Sequence, residues 1–101
     1  MKKKRKKWDT PAFRKKLNAQ LKIIGDNLFA LRKSRDESLE TVGKAVKISP
    51  GYLSQMEKGL KPHFRLTRLG ALAKYYDVCM RDIVSKEFLK TIKPENKKNQ
   101  K

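Results

Sequence analysis

The sequence predicts an all-α fold: one compact helical domain with an N-terminal helical extension and basic tails. Three observations predict it. From Phe13 onward, apolar residues recur at three- and four-residue steps, the period of a helix with one buried face. Thr10-Pro11 and Ser49-Pro50 are both helix starts. The hydroxyl can cap free amides, and proline is tolerated at the first helical position because its missing N–H had no partner there. Finally, two short apolar-striped runs follow each other between Leu39 and Gly59 with only a tight turn between them.

In chain order, Met1 to Lys7 is nearly all lysine and arginine. Such a run repels itself and buries nothing, so it is expected to be disordered in isolation. It reads either as a solubilising tail or as a phosphate-binding arm. Trp8 beside it can stack or pack. Phe13, Leu17, Leu21, Ile24, Leu28 and Leu31 then mark a helix from Pro11. Whether it breaks near Gly25 is open on sequence alone, since one glycine costs a helix only ~1 kcal/mol. The part before Ile23 has three open roles: packing on the domain, a dimer contact, or laying Arg14, Lys15, Lys16 and Lys22 along nucleic acid.

The run Leu39 to Val46 places Leu39, Val42, Ala45 and Val46 on one stripe, with Ser38 as its N-cap three residues before Thr41. Ile48 follows, then the Ser49-Pro50 start of a second helix that turns Leu53, Met56 and Tyr52 inward. Gly59 fits a left-handed stop past its end. Two helices crossing within so short a span require a small residue at the crossing, and Gly43 supplies it. The opposite face of the second helix shows Gly51, Ser54, Gln55 and Lys58. This is the helix-turn-helix pattern, whose second helix is offered to a DNA major groove.

The stretch LETVGKAVKISPGYLSQMEKG resembles the Cro/C1-type (xenobiotic response element-type) helix-turn-helix family. The likeness extends to IGDNLFALRKSR, RLTRLGALAKYYDV and CMRDIV, which resemble the family's first, fourth and fifth helices. It spans roughly Ile23 to Ser85 and implies a five-helix lambda-repressor-like domain over residues 23–85. Residues 1–22 are then a basic arm and helical extension, and 86–101 a C-terminal extension and tail. The family commonly pairs an arginine of the first helix with a glutamate closing the recognition helix, which implies an Arg32–Glu57 clamp. Four positions depart from the pattern. Asp36 and Glu37 replace a glycine and a leucine, Leu39 replaces a phosphate-holding glutamine, and Lys47 stands where glycine usually takes positive φ. Leu66, Leu69, Leu72, Ala73 and Tyr76 are expected to form the fourth helix's core stripe, with Phe64 packing before it. Val78, Met80, Ile83 and Val84 supply the fifth, and Cys79 is expected to pack. Phe88, Leu89 and Ile92 lie at helical spacing and can continue the fifth helix toward a partner. Pro94 ends regular structure, and Glu95 to Lys101 reads as a disordered tail.

On this reading Ser49, Gly51, Ser54 and Gln55 face base edges. Gln55 is the best reader, because its amide can bond N6 and N7 of adenine together. Ser54 discriminates weakly and Gly51 offers only backbone. The backbone-contact set is Lys44, Lys47, Tyr52, Lys58, Lys61 and Arg65. With no arginine on the outer face of the second helix, DNA shape and deformability carry much of the preference.

Charge agrees with a polyanionic partner. The 101 residues hold 27 Lys and Arg against 10 acidic side chains, a net charge of +17. Residues 1–24 carry ten basic side chains against one acidic, 25–85 eleven against seven, and 86–101 six against two. The domain is thus mildly basic and the ends carry most of the excess, which points to nucleic acid ahead of an anionic membrane. One cysteine excludes an internal disulfide and suits a reducing cytoplasm. The longest apolar run, Leu28 to Leu31, is far short of a membrane span. No serine–histidine–carboxylate set, phosphate-cradling glycine loop or metal-ligand cluster suggests an enzyme, and His63 alone makes no metal site. No cofactor or metal is expected. The leading expectation is a cytoplasmic, sequence-preferring binder of double-stranded DNA, a transcriptional repressor acting as a homodimer. The alternatives are an antitoxin-type protein with a protein partner, and a non-specific cationic binder of RNA or membrane driven by the tails.

Overall fold

Thr10 accepts a hydrogen bond on its Oγ1 from the amide of Phe13 at 3.0 Å, and with Pro11 it starts the longest helix. In the computed structural model, which describes residues 6–92, this helix is α1 (Pro11–Ser34). It is followed by α2 (Leu39–Val46), α3 (Pro50–Glu57), α4 (Leu66–Tyr76), α5 (Met80–Ile83) and a 3-10 helix, Lys86–Thr91. No strand occurs among the described residues. Met1 to Arg5 of the basic arm, and Pro94 with the tail beyond it, lie outside them.

Helix α1 runs through Gly25 without a break. The glycine is needed for packing: a Cβ there would fall on the backbone carbonyl of Glu57, so α1 and the end of α3 meet backbone to backbone. Gly43 does the same for the α2–α3 crossing, where a Cβ would stand 2.5 Å from the Ile48 carbonyl oxygen. Ser38 and Ser49 cap α2 and α3, accepting from the amides of Thr41 and Tyr52 at 3.0 and 3.1 Å. Each of the first four helices ends on a left-handed residue at or just beyond its last turn: Asp36 (φ 58), Lys47 (φ 60), Gly59 (φ 74) and Asp77 (φ 59). After α3, the Leu60 amide bonds the Gln55 carbonyl at 2.9 Å and the Gly59 amide that of Met56 at 3.1 Å, a Schellman closure.

The core forms where α1 packs on α3 and α5, α2 on α3 and α4, and α4 on α5. Leu28, Val42, Leu53, Met56, Leu72 and Ile83 are fully buried there. Phe64 packs against this cluster, and Trp8 meets Phe13 edge to face at 5.2 Å.

Several expectations are corrected. Ala45 is exposed, because α2 is covered on the side of Val42 and Gly43 and Ala45 falls outside that arc. Leu66 is 68% exposed, since it opens α4 ahead of the first turn that reaches the core at Leu69. Cys79 is also exposed, at the N-cap of α5. Helix α5 does not continue to Ile92. Asn27, 1% exposed, donates from Nδ2 to the carbonyls of Ile83 and Ser85 at 2.7 and 2.9 Å, and Gln20 Nε2 donates to that of Val84 at 2.7 Å. Side chains of α1 thus take the carbonyls a longer helix would use. Ser85 turns extended and caps the 3-10 helix, which folds back on α1 with Phe88 and Ile92 against the core. Val84 and Leu89 are left 38% and 41% exposed.

Candidate nucleic-acid interface

The inward side of α3 is fixed by apolar contact and by one ion pair. Leu53 and Met56 are 1% and 2% exposed. Beside them Arg32 grips Glu57 with a two-pronged fork, Nε to Oε2 at 2.8 Å and Nη2 to Oε1 at 2.9 Å. The third nitrogen, Nη1, donates to the Glu37 carbonyl at 2.9 Å, so the guanidinium ties α1, the α1–α2 connection and α3 together. The two side chains are only 10% and 6% exposed. The hydrogen bond to Glu57 holds Arg32 above its ordinary pKa, while burial pulls the other way. Tyr75 donates its hydroxyl to Glu37 Oε2 at 2.7 Å, which secures the connection from α4.

With that side locked, helical periodicity turns the other outward. Gly51 is exposed, and a Cβ added there would meet nothing within 4 Å; Ser54 and Gln55 are half-buried. Ser49 is exposed, but its hydroxyl already serves as the N-cap, which leaves its proton and one lone pair to offer. Lys44, Lys47, Lys58 and Arg65 are exposed around this face, while Lys61 and Tyr52 are half-buried. Lys47 adopts φ 60, ψ 44, the conformation in which a glycine is unstrained. The structure brings Tyr52 and Lys61 together, with Lys61 Nζ 5.1 Å from the ring centroid. It adds a residue for which sequence spacing gives no signal: Arg68, whose guanidinium lies 4.3 Å from the same centroid. Its place on α4 reads as an ordinary polar position between core leucines. Asn27 is equally silent in sequence, because a polar residue on a helix is read as outward unless its partners are known.

Among the described residues no group of three or more His, Cys, Asp or Glu could hold a metal. No described helix is long and apolar enough to cross a membrane. A family model described as a helix-turn-helix domain matches residues 23–82. The chain belongs to the helix-turn-helix domain family. The match begins inside α1, so the first turns of that helix, Pro11 to Lys22, lie outside the family's domain. It ends within α5, and α2 and α3 are the two helices that name the family. No curated protein and no solved structure matches the chain.

Proposed function

We propose that the chain is a sequence-preferring regulator that binds double-stranded DNA, a repressor acting as a homodimer in the cytoplasm, with residues 50–58 entering the major groove. One observation carries this reading: α3 is anchored from behind by Leu53, Met56 and the Arg32–Glu57 fork, while on its other side Gly51 is exposed and Ser54 and Gln55 are half-exposed. The cations around that face support it. Lys44, Lys47, Lys58, Lys61 and Arg65 take no part in the ion pairs among the described residues, which join Arg14 to Asp9, Lys22 to Asp26, Arg32 to Glu57 and Lys90 to Glu87. Gln55 reads bases, Ser49, Gly51 and Ser54 allow close approach, and the cations hold phosphates. A dimer places two such helices about one helical turn apart.

Selection of bound fragments from random duplex DNA at two salt concentrations tests the proposal. Recovery of a common sequence that survives the higher salt is the expected result. Uniform recovery that vanishes with salt would instead indicate a non-specific cationic binder. One observation favours a second reading, an antitoxin-type protein: Trp8 and Phe13 stay 59% and 38% exposed on the helical extension. A stable complex with the product of a neighbouring gene would distinguish it.

A further inference from the structure

Three side chains around the α3–α4 loop form an arrangement that the base-reading face does not need. Arg68, in the first turn of α4, and Lys61, in the loop, both lie over the ring of Tyr52, at 4.3 and 5.1 Å from its centroid. All three residues are half-buried, so both long side chains lie along the protein surface with their charged ends at the ring. Neither has a carboxylate partner in the ion pairs among the described residues. Like charges held at one ring without a counter-charge repel each other, and the ring's negative face offsets only part of that cost. An anion within reach of both removes the rest. Tyr52 stands three residues before Gln55, so its ring borders the outward face of α3 on the side of the loop.

We propose that Arg68 and Lys61, held on the Tyr52 ring, form a seat for one backbone phosphate of duplex DNA. Arg68 is a binding residue of that seat. The inference rests on the DNA-binding reading of α3. Arginine suits the task because its planar fork can stack on the tyrosine and still present two N–H groups to phosphate oxygens. Stacking also removes rotamer freedom before DNA arrives, which lowers the entropic cost of binding. The seat fixes the register of α3 against the phosphate strand beside the groove and reads no sequence itself.

The test is titration of the full chain with a short random-sequence duplex at several salt concentrations, which separates phosphate binding from base reading. Arg68→Gln is expected to weaken binding about tenfold. It should also make the plot of log affinity against log salt shallower by about 0.9, the change that follows when one phosphate fewer is neutralised. Arg68→Lys keeps the charge without the fork, so its slope should match wild type while affinity falls part of the way. A purely structural arginine would lower affinity without this division between the two variants. An unchanged slope in an Arg68→Gln chain that melts like wild type overturns the seat. If Arg68→Gln does not fold, Arg68→Lys takes its place: a wild-type slope with reduced affinity is expected, and an unchanged affinity overturns the seat. A wild-type chain that binds no duplex at any salt would bring down the reading of α3 itself, and the seat with it.

Discussion

The inward face of α3 carries Leu53 and Met56, buried in the core, and Glu57, paired with Arg32 of α1, while its outward face carries Gly51 beside open space and half-buried Ser54 and Gln55. Both faces belong to the same eight-residue helix. Such a short helix is marginal by itself in water, so tertiary contact on one side must hold it. The other side contributes less to that hold, since Gly51 is exposed and Ser54 and Gln55 are only half-buried. Residues on the first face should therefore answer to stability measurements, and residues on the second to binding measurements.

The sharpest way to break that division is at the ion pair. Glu57→Ala leaves Arg32 buried without its charge partner and should cost about 3 kcal/mol in denaturant melts. Arg32→Lys should not restore full stability, because lysine cannot reproduce the fork or the third bond to Glu37. Next comes Gly25→Ala on the facing helix. The added methyl meets the Glu57 carbonyl, and a loss of about 2 kcal/mol is expected although alanine is the better helix former. Gly51→Ala makes the matched contrast, since nothing stands in its way. It should leave the fold intact or stabilise it by up to ~1 kcal/mol, and any penalty should appear only in DNA binding.

Lys47→Gly sharpens the comparison in the opposite direction. At φ 60 a lysine is strained, and relief should stabilise the domain by about 1 kcal/mol. Its salt slope for DNA should meanwhile become shallower if the lysine holds a phosphate. The smallest effect at neutral pH belongs to Tyr76, whose hydroxyl is pushed up by burial first and by the charges of Glu57 and Glu37 after it. Folding favours the protonated phenol, so its contribution is complete below the unfolded value of about 10 and is lost as pH rises past it. Melts of Tyr76→Phe should match wild type at pH 7 and fall less steeply in alkali.

The caps and stops of this fold are legible in the sequence because each rests on local chemistry. Ser38, Ser49, Gly59 and the strained Lys47 need only their own neighbours to act. The crossing glycine Gly43 is legible from the shortness of the span. Other features need partners distant in sequence. Asn27 is inward only because the carbonyls of Ile83 and Ser85 wait for it, more than fifty residues away. The same bonds end α5, which periodicity alone would extend through Phe88. Leu66 shows the converse: an apolar residue at the right spacing stays exposed when no element covers the first turn of its helix. At the candidate interface, helical spacing is enough to keep Gln55 and Ser54 off the fully buried face, where the structure leaves them half-buried. Arg68 becomes visible only once α4 is set beside the Tyr52 ring.

The most direct measurement compares Gln55→Ala with wild type on two duplexes, one recovered by selection and one of random sequence, with thermal melts alongside. Gln55 is half-buried and the bond it accepts from the Leu60 amide is to its backbone carbonyl, which alanine keeps, so the melting temperature should stay unchanged and random-duplex affinity nearly so. The ratio of selected to random affinity should fall by an amount worth ~1–3 kcal/mol. Equal loss on both duplexes, or a ratio that does not move, would contradict the assignment of the outward face of α3 to base reading.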